Sequence, residues 1–152
     1  MNRLWLIFAL CLVGSTIAVA QGRPSSAYAP GLGEFMIFTQ LRHAKLWFAG
    51  KSGNWDLARY EIDELKEGLE DAARQYPSYE GVPIGEMIKA NAITPLDELA
   101  KVVDAKNSAK FDGAFDALTA ACNTCHAGAN KAFIKIRRPS QLPVSNQDFN
   151  TK

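Results

Sequence analysis

Apolar residues recur at intervals of three and four along four segments of this chain, and this periodicity restricts the fold more than any other feature. The segments cover about residues 33–50, 55–76, 94–106 and 107–138. No stretch of the sequence alternates apolar and polar residues as strands do. Four helices joined by short loops predict an all-α fold, in the form of an antiparallel four-helix bundle. The apolar face predicted for the last helix includes Phe111, Phe115, Leu118, Cys122, Cys125, Ala129 and Phe133.

Local signals indicate where these helices begin and end. Asn54 follows a Gly-rich turn and is a suitable N-cap for the second helix. Residues 84–92 are expected to form a short helical turn. The pair Thr94-Pro95 is typical of a helix start, because a hydroxyl group caps the helix and proline suits its first position. Asn107 or Ser108 is expected to cap the last helix, and Pro139 is expected to end it.

The first twenty residues have the organisation of a secretory signal peptide. Arg3 precedes an apolar run from Leu4 to Val13, and Ala18-Val19-Ala20 supplies the small residues of a cleavage site. The apolar run is shorter than the ~20 residues that cross a membrane. We therefore expect cleavage before Gln21, export to the periplasm and no stable insertion into the membrane.

The rest of the chain divides into an irregular lead-in (residues 21–32), the helical domain (residues 33–138) and an extended tail (residues 139–152). Removing residues 1–20 takes away Arg3 and no acidic residue, which leaves 16 basic and 16 acidic residues of the 17 and 16 in the whole chain. Binding to nucleic acid requires a basic surface. A mature chain without net charge therefore predicts no nucleic-acid partner.

One short motif in the last helix carries the chemistry. The sequence reads Cys-Asn-Thr-Cys-His, which is the Cys-x-x-Cys-His signature of covalent haem attachment. Positions i, i+3 and i+4 share one face of a helix. The thiols of Cys122 and Cys125 can therefore bond to the two vinyl groups of one porphyrin edge, and His126 can bind the iron. Asn123 and Thr124 are expected to face elsewhere. The motif predicts one covalently attached haem c with its iron.

Three other interpretations of the motif explain less of the sequence. A redox-active Cys-x-x-Cys pair belongs to a fold with strands, and the sequence predicts none. A structural zinc site needs four ligands, and His43, the only other histidine, lies far from the motif in the sequence. A disulfide, which export would permit, leaves His126 without a role. Haem is therefore the favoured interpretation.

With this motif near the C-terminal end of the last of four helices, the chain resembles the class II c-type cytochromes, the group of cytochrome c′. The resemblance covers about residues 33–136, and its one specific motif is the segment Cys122–His126. It implies a four-helix bundle with the haem bound to the last helix. It also implies that the sixth position of the iron is either open or filled from the first helix. Redox partner proteins and a possible homodimer are further implications.

The first helix offers two candidates for the sixth ligand, His43 and Met36, which lie seven residues apart on one face. Seven residues separate them by ~10.5 Å along the helix. His126 lies about ten residues before the expected end of the last helix near Ile136, and ten residues counted from Glu34 reach the level of His43. The sequence therefore favours His43, with Met36 as the alternative and an open position as the third possibility.

The sixth ligand decides the function. A haem with two imidazole ligands suits electron transfer, so the sequence predicts a periplasmic monohaem cytochrome that carries electrons and needs no catalytic residues. An open position predicts instead a protein that binds nitric oxide or carbon monoxide. A peroxidase-like enzyme or an oxidoreductase subunit is a weaker alternative, suggested only by Arg42 beside His43.

Overall fold

The structure, a computed structural model, describes residues 28–150. Within this range there is no strand, only an isolated bridge between Tyr79 and Val82. The predicted all-α class is therefore confirmed. The predicted signal peptide and its cleavage site lie outside the described residues. The helices are α1 (Leu32–Lys51), α2 (Trp55–Gln75), α3 (Ile84–Ile88), a π-helical segment (Lys89–Ile93), α4 (Thr94–Asp104) and α5 (Ser108–Gly128).

The first two helices pack against each other because a three-residue turn, residues 52–54, joins them. Asn54 caps α2 as predicted, since its side-chain oxygen accepts a hydrogen bond from the backbone N–H of Leu57 at 3.2 Å. At the other end of α2, the Tyr76 hydroxyl donates to the carbonyl of Pro30 at 2.9 Å. The end of α2 therefore lies beside the start of α1.

A carboxylate is buried between α1 and α2. Glu61 is fully buried, and its two oxygens lie 3.2 Å from the guanidinium of Arg42 and 2.5 Å from Nζ of Lys45. Arg42 also pairs with Glu64 at 2.7 Å. A buried charge needs such partners because the interior solvates it poorly. The two cations of α1 are thus directed towards α2.

A single helical segment replaces the predicted turn at residues 84–92 and the separate helix after it. α4 begins at Thr94, as predicted, but Thr94 has helical backbone angles and makes no capping hydrogen bond, so its predicted role as a cap is wrong. Pro95 lacks an N–H group, and its ring conflicts with the carbonyl of Asn91 in a regular α-helix. We attribute the π-helical turn that precedes Pro95 to this conflict. The segment stays helical because it buries one continuous apolar face of Ile88, Ala92 and Leu96.

α5 begins at the predicted place and packs against α1. The side chain of Asn107 accepts a hydrogen bond from the N–H of Lys110 at 3.1 Å and caps the helix. Gly50 of α1 lies against the ring of Phe111, so close that a Cβ atom at this position would overlap the ring. The glycine therefore permits the close approach of α1 and α5.

α5 ends at Gly128, so the predicted extension to Arg138 is wrong. Asn130 has φ of 59°, the left-handed conformation that asparagine tolerates, and it reverses the chain. The N–H groups of Asn130 and Lys131 bond to the carbonyls of Ala127 and His126 at 3.2 and 2.8 Å, the pattern of a Schellman motif. Phe133, expected on the buried face, is 78% exposed.

Residues 129–138, which we call the strap, run back along α5. The N–H of Ile134 bonds to the carbonyl of Lys131 at 2.8 Å and completes the reversal. At the far end of the strap, the guanidinium of Arg138 donates two hydrogen bonds to the carboxylate of Asp116, both at 2.6 Å. The same guanidinium lies 4.7 Å from the centre of the Trp47 ring. The strap therefore covers the outer side of α5.

The tail after the strap has no regular secondary structure up to residue 150. It ends far from the Cys-x-x-Cys-His motif, since Phe149 is 4% exposed and packs on Phe48 with ring centres 5.9 Å apart. Among the helices of residues 28–150, none combines the length and the apolar character that crossing a membrane requires. The core of the described chain includes Leu46, Ile62, Leu65, Leu96, Leu99, Val103, Phe111, Phe115 and Leu118.

Candidate functional site

The three residues of the motif lie in the last two turns of α5. Cys122, Cys125 and His126 are each partly buried, and Cys122 packs against the core. The two thiols are free. Their spacing along the helix places them on one face, as the attachment of one porphyrin edge requires.

Burial disfavours the charged thiolate form of both cysteines. It raises the pKa of Cys122 to about 11, with a smaller contribution from the neighbouring Cys125, and it raises the pKa of Cys125 as well. Redox-active Cys-x-x-Cys pairs depend on a thiol whose pKa is lowered. The environment here acts in the opposite direction, so it argues against the redox-pair interpretation.

The imidazole of His126 has one nitrogen engaged. Nδ1 lies 3.0 Å from the carbonyl oxygen of Ile134 in the strap. A carbonyl only accepts, so Nδ1 carries the proton and the neutral ring has its lone pair on Nε2. Histidines that bind metals usually donate their other N–H to a carbonyl or carboxylate in this way. The ring of His126 therefore has the tautomer that an iron ligand needs.

Asn123, the second residue of the motif, has a role that the sequence did not predict. Its side-chain oxygen accepts from the N–H of Ile136 at 2.8 Å, and its side-chain nitrogen donates to the carbonyl of the same residue at 2.9 Å. Thr124, the other variable position, is exposed and bonds only to the carbonyl of Ala120 in its own helix. No local sequence signal indicates the Asn123 contact, since it depends on the path of the strap.

His43 lies in the core beside Thr119, which precedes the first residue of the motif, Cys122, by three residues. Its exposed fraction is 4%, its Nε2 lies 2.9 Å from the hydroxyl oxygen of Thr119, and its ring centre lies 4.4 Å from that of Phe115. The Thr119 hydroxyl donates its one hydrogen to the carbonyl of Phe115 at 2.9 Å. Nε2 of His43 therefore donates to Thr119. Desolvation lowers the pKa of His43 to about 4, so the ring is neutral.

The contacts between α1 and α5 fix the level of each residue on the two helices. His43 meets Thr119, and the Trp47 ring lies 4.9 Å from that of Phe115. Each step towards the N-terminus of α1 thus corresponds to a step towards the C-terminus of α5. A step of seven residues from the first pair leads to Met36 and His126. On this register Met36 is expected nearer than His43 to the level of His126, and the choice of sixth ligand stays a prediction.

Met87 lies against the end of α5. A Cβ atom on Gly128 would lie 2.7 Å from Cε of Met87, so the glycine makes room for this side chain. Met87 is partly buried in α3. It fills space next to the last turn of α5 and supports the motif from the side of α3.

Several large apolar side chains of α1 and of the strap are exposed. Ile37 and Phe38 of α1 are 65% and 64% exposed, and Phe133 and Ile134 of the strap are 78% and 43% exposed. Exposed apolar groups collected in one region often mark a place where a ligand or partner binds. Of these four residues, Ile134 is shown beside the motif, through the hydrogen bond of its carbonyl with His126.

The donor set fits haem better than a free metal ion. In the part of the chain that the structure describes, no three side chains of histidine, cysteine, aspartate or glutamate are grouped as ligands for a metal ion. Haem iron takes four ligands from its porphyrin and needs one or two from the protein. Nε2 of His126 could meet that requirement, and the thiols of Cys122 and Cys125 could bond to the vinyl groups of the porphyrin.

Comparisons of the chain with protein-family models, with curated proteins and with solved structures found no match.

Proposed function

We propose that this chain is a periplasmic monohaem c-type cytochrome that carries electrons between redox partner proteins. In this proposal the four helical segments form an antiparallel bundle, and one haem c is attached to the last helix through Cys122 and Cys125. His126 is the proximal ligand of the iron. The haem supplies the one-electron chemistry, and the chain needs no catalytic residue of its own.

The observation that carries the proposal is the hydrogen bond from Nδ1 of His126 to the carbonyl of Ile134. This bond directs the lone pair of Nε2 away from the strap and increases its basicity as a ligand. The same helix face presents the two neutral thiols of Cys122 and Cys125. A disulfide or a redox pair would give the histidine no such role.

The remaining residues control access to the site. Phe115 and Trp47 close the contact between α1 and α5 below the motif and keep water out of that side. Covalent bonds from Cys122 and Cys125 would keep the haem attached to α5. In the strap, the exposed side chains of Phe133 and Ile134 provide apolar surface for the haem.

Two residues remain candidates for the sixth ligand. Ligation by His43, which the sequence favours, stays a prediction, and it would require Nε2 of His43 to leave Thr119 and the ring to move towards the motif. Met36 would need less movement along the helix if the register of α1 and α5 continues from His43 and Thr119 to the motif. The register of α1 and α5 therefore favours Met36. A histidine and a methionine together give a higher reduction potential than two histidines.

An open sixth position keeps the gas-binding function as the alternative. The bond between His43 and Thr119 supports it, since a histidine held in this way stays away from the iron. Arg42 gives no support to a peroxidase-like site, because its guanidinium is paired with Glu61 and Glu64 of α2.

The central test is to express the full chain in a bacterium that attaches c-type haem and to purify it from the periplasm. We expect a mature chain that begins at Gln21, a mass increased by one haem, and a Soret band that survives denaturation. A double variant, Cys122→Ser with Cys125→Ser, should be exported without covalent haem. A parent protein with the mass of the polypeptide alone would contradict the proposal.

The sixth ligand is tested by spectra of the variants Met36→Ala and His43→Ala with and without carbon monoxide. We expect Met36→Ala to convert the iron from low spin to high spin and to allow carbon monoxide to bind, while His43→Ala stays low spin. The reverse result would assign His43. A parent protein that is already high spin and binds carbon monoxide would favour the gas-binding function.

A further inference from the structure

The strap, residues 129–138, contacts α5 at three successive levels. Ile134 meets His126 through its carbonyl, Ile136 meets Asn123 through its N–H and carbonyl, and Arg138 meets Asp116 through its guanidinium. At the start of the strap, Lys131 pairs with Glu80 at 2.8 Å. The strap is thus tied to the rest of the chain along its length.

The Asn123 contact is the middle one of the three contacts with α5, and it uses both the oxygen and the nitrogen of the side-chain amide. The oxygen accepts from Ile136 and the nitrogen donates to Ile136, so the backbone of this residue is bound in both directions. A carboxylate would keep only the accepting half, and an alanine would keep neither. The contact is partly buried, which limits the competition of water for these groups.

This contact lies next to the one that orients His126. Ile134 and Ile136 are separated by one residue, and Asn123 and His126 are separated by one turn of α5. Fixing the backbone of Ile136 therefore restricts where the carbonyl of Ile134 can lie. Without that restriction, the part of the strap beyond Ile134 would be held by the ion pairs of Arg138 and its contact with Trp47, and surface ion pairs contribute little.

We propose that Asn123 is a positioning residue for His126, which holds the strap so that the Ile134 carbonyl keeps the proton of His126 on Nδ1. This inference rests on the proposed function for its purpose, since an iron ligand needs a lone pair on Nε2. It concerns Asn123 and the strap themselves, so it is testable in a chain with haem or without it.

The test compares Asn123→Ala with the matched control Thr124→Ala in the full chain. Both variants truncate a variable position of the motif, but only the first removes a contact with the strap. Hydrogen exchange of the Ile136 amide measures whether the strap is held. We expect exchange to become about tenfold faster in Asn123→Ala and to stay unchanged in Thr124→Ala. Asn123→Asp, which keeps the acceptor for this amide, should be intermediate.

A second measurement reports the hydrogen bond and the tautomer of the His126 ring. In the haem-bearing protein, loss of the Nδ1 hydrogen bond makes the imidazole a weaker donor, so the reduction potential should rise in Asn123→Ala and stay constant in Thr124→Ala. In a chain purified without haem, nitrogen chemical shifts of His126 report its tautomer. We expect Nδ1–H in the parent and a shift towards Nε2–H, the tautomer that a free imidazole prefers, in Asn123→Ala.

The two proposals fail in different ways. A chain without covalent haem contradicts the cytochrome function, while the tautomer of His126 still decides the role of Asn123. If Asn123→Ala keeps the potential, or in the haem-free chain the Nδ1–H tautomer, of the parent, the positioning role is overturned. The same holds if Thr124→Ala changes either readout as much as Asn123→Ala does.

Discussion

The two ends of the contact between α1 and α5 differ in how far the chain's own side chains pack against the helices and supply hydrogen-bond partners. At the end formed by Gly50, Trp47 and His43, the side chains of Phe111, Phe115 and Thr119 of α5 pack directly against α1. The buried histidine has a hydrogen-bond partner in Thr119. At the other end, around Met36 and the motif, large apolar groups remain exposed and His126 has one nitrogen engaged by the strap.

The two histidines show what this difference means. His43 is a neutral core residue whose donor is used inside the protein, and its pKa is lowered to about 4 by burial. His126 is partly exposed, and its contact with Ile134 leaves Nε2 as the acceptor. We call the end with His43 the closed end, and the end with His126, which has the ligand that a haem would use, the open end. Predictions that separate the two ends therefore test the whole interpretation.

The largest effect is expected at Gly50, where the closed end has its closest helix contact. In the variant Gly50→Ala the new methyl group overlaps the Phe111 ring, which also packs against Trp47 and Trp55. We expect the free energy of unfolding to fall by about 3 kcal/mol, measured by urea denaturation.

Gly113 of α5 provides the control for this variant. A Cβ atom on Gly113 would meet no atom within 4 Å, so Gly113→Ala should stabilise the helix by about 0.5–1 kcal/mol. Equal effects of the two substitutions would show that α1 and α5 do not approach each other at Gly50. The register on which Met36 is expected nearer than His43 to the level of His126 would then be wrong.

The next effect concerns pH and His43. The pKa of His43 falls from its ordinary value of 6.5 to about 4 in the folded chain, so between these values the unfolded chain binds a proton that the folded chain does not. Its contribution to stability is complete above pH 6.5 and is lost as the pH falls towards 4. By pH 5 this amounts to about 2 kcal/mol.

The variant His43→Gln isolates this effect, because glutamine keeps an N–H donor for Thr119 and does not titrate. Urea denaturation at pH 7.5 and pH 5 should show that the parent loses about 2 kcal/mol more than the variant between the two conditions. Parallel losses in both proteins would mean that His43 is protonated in the folded state and is not enclosed as described.

The sequence predicted the helices where local signals and burial agree. The capping side chains of Asn54 and Asn107 mark the starts of α2 and α5, and both helices begin at the next residue. At Thr94 the local signal and burial disagree. The apolar face of Ile88 and Leu96 keeps the segment helical through a residue pair that usually starts a helix. Burial of a continuous face outweighs a cap.

The candidate site was predictable in its chemistry and less so in its geometry. Cys122, Cys125 and His126 follow from the motif alone. The sequence favoured His43 over Met36 because residues were counted from His126 to a predicted end of α5 near Ile136. The observed end at Gly128 shortens that count by about two turns. The contacts of Asn123 with the strap depend on a chain reversal that apolar periodicity does not reveal.

The smallest effect is expected at Asn130, the residue that produces this reversal at the open end. Its φ of 59° costs an alanine about 1 kcal/mol, while a glycine adopts it freely. Urea denaturation should therefore show a loss of about 1 kcal/mol for Asn130→Ala and almost none for Asn130→Gly. If Asn130→Ala instead gains helical circular dichroism without losing stability, α5 can continue to Arg138, as the sequence alone predicted. The strap would then be one of two alternative conformations of this segment, and the difference between the two ends of the molecule would no longer depend on it.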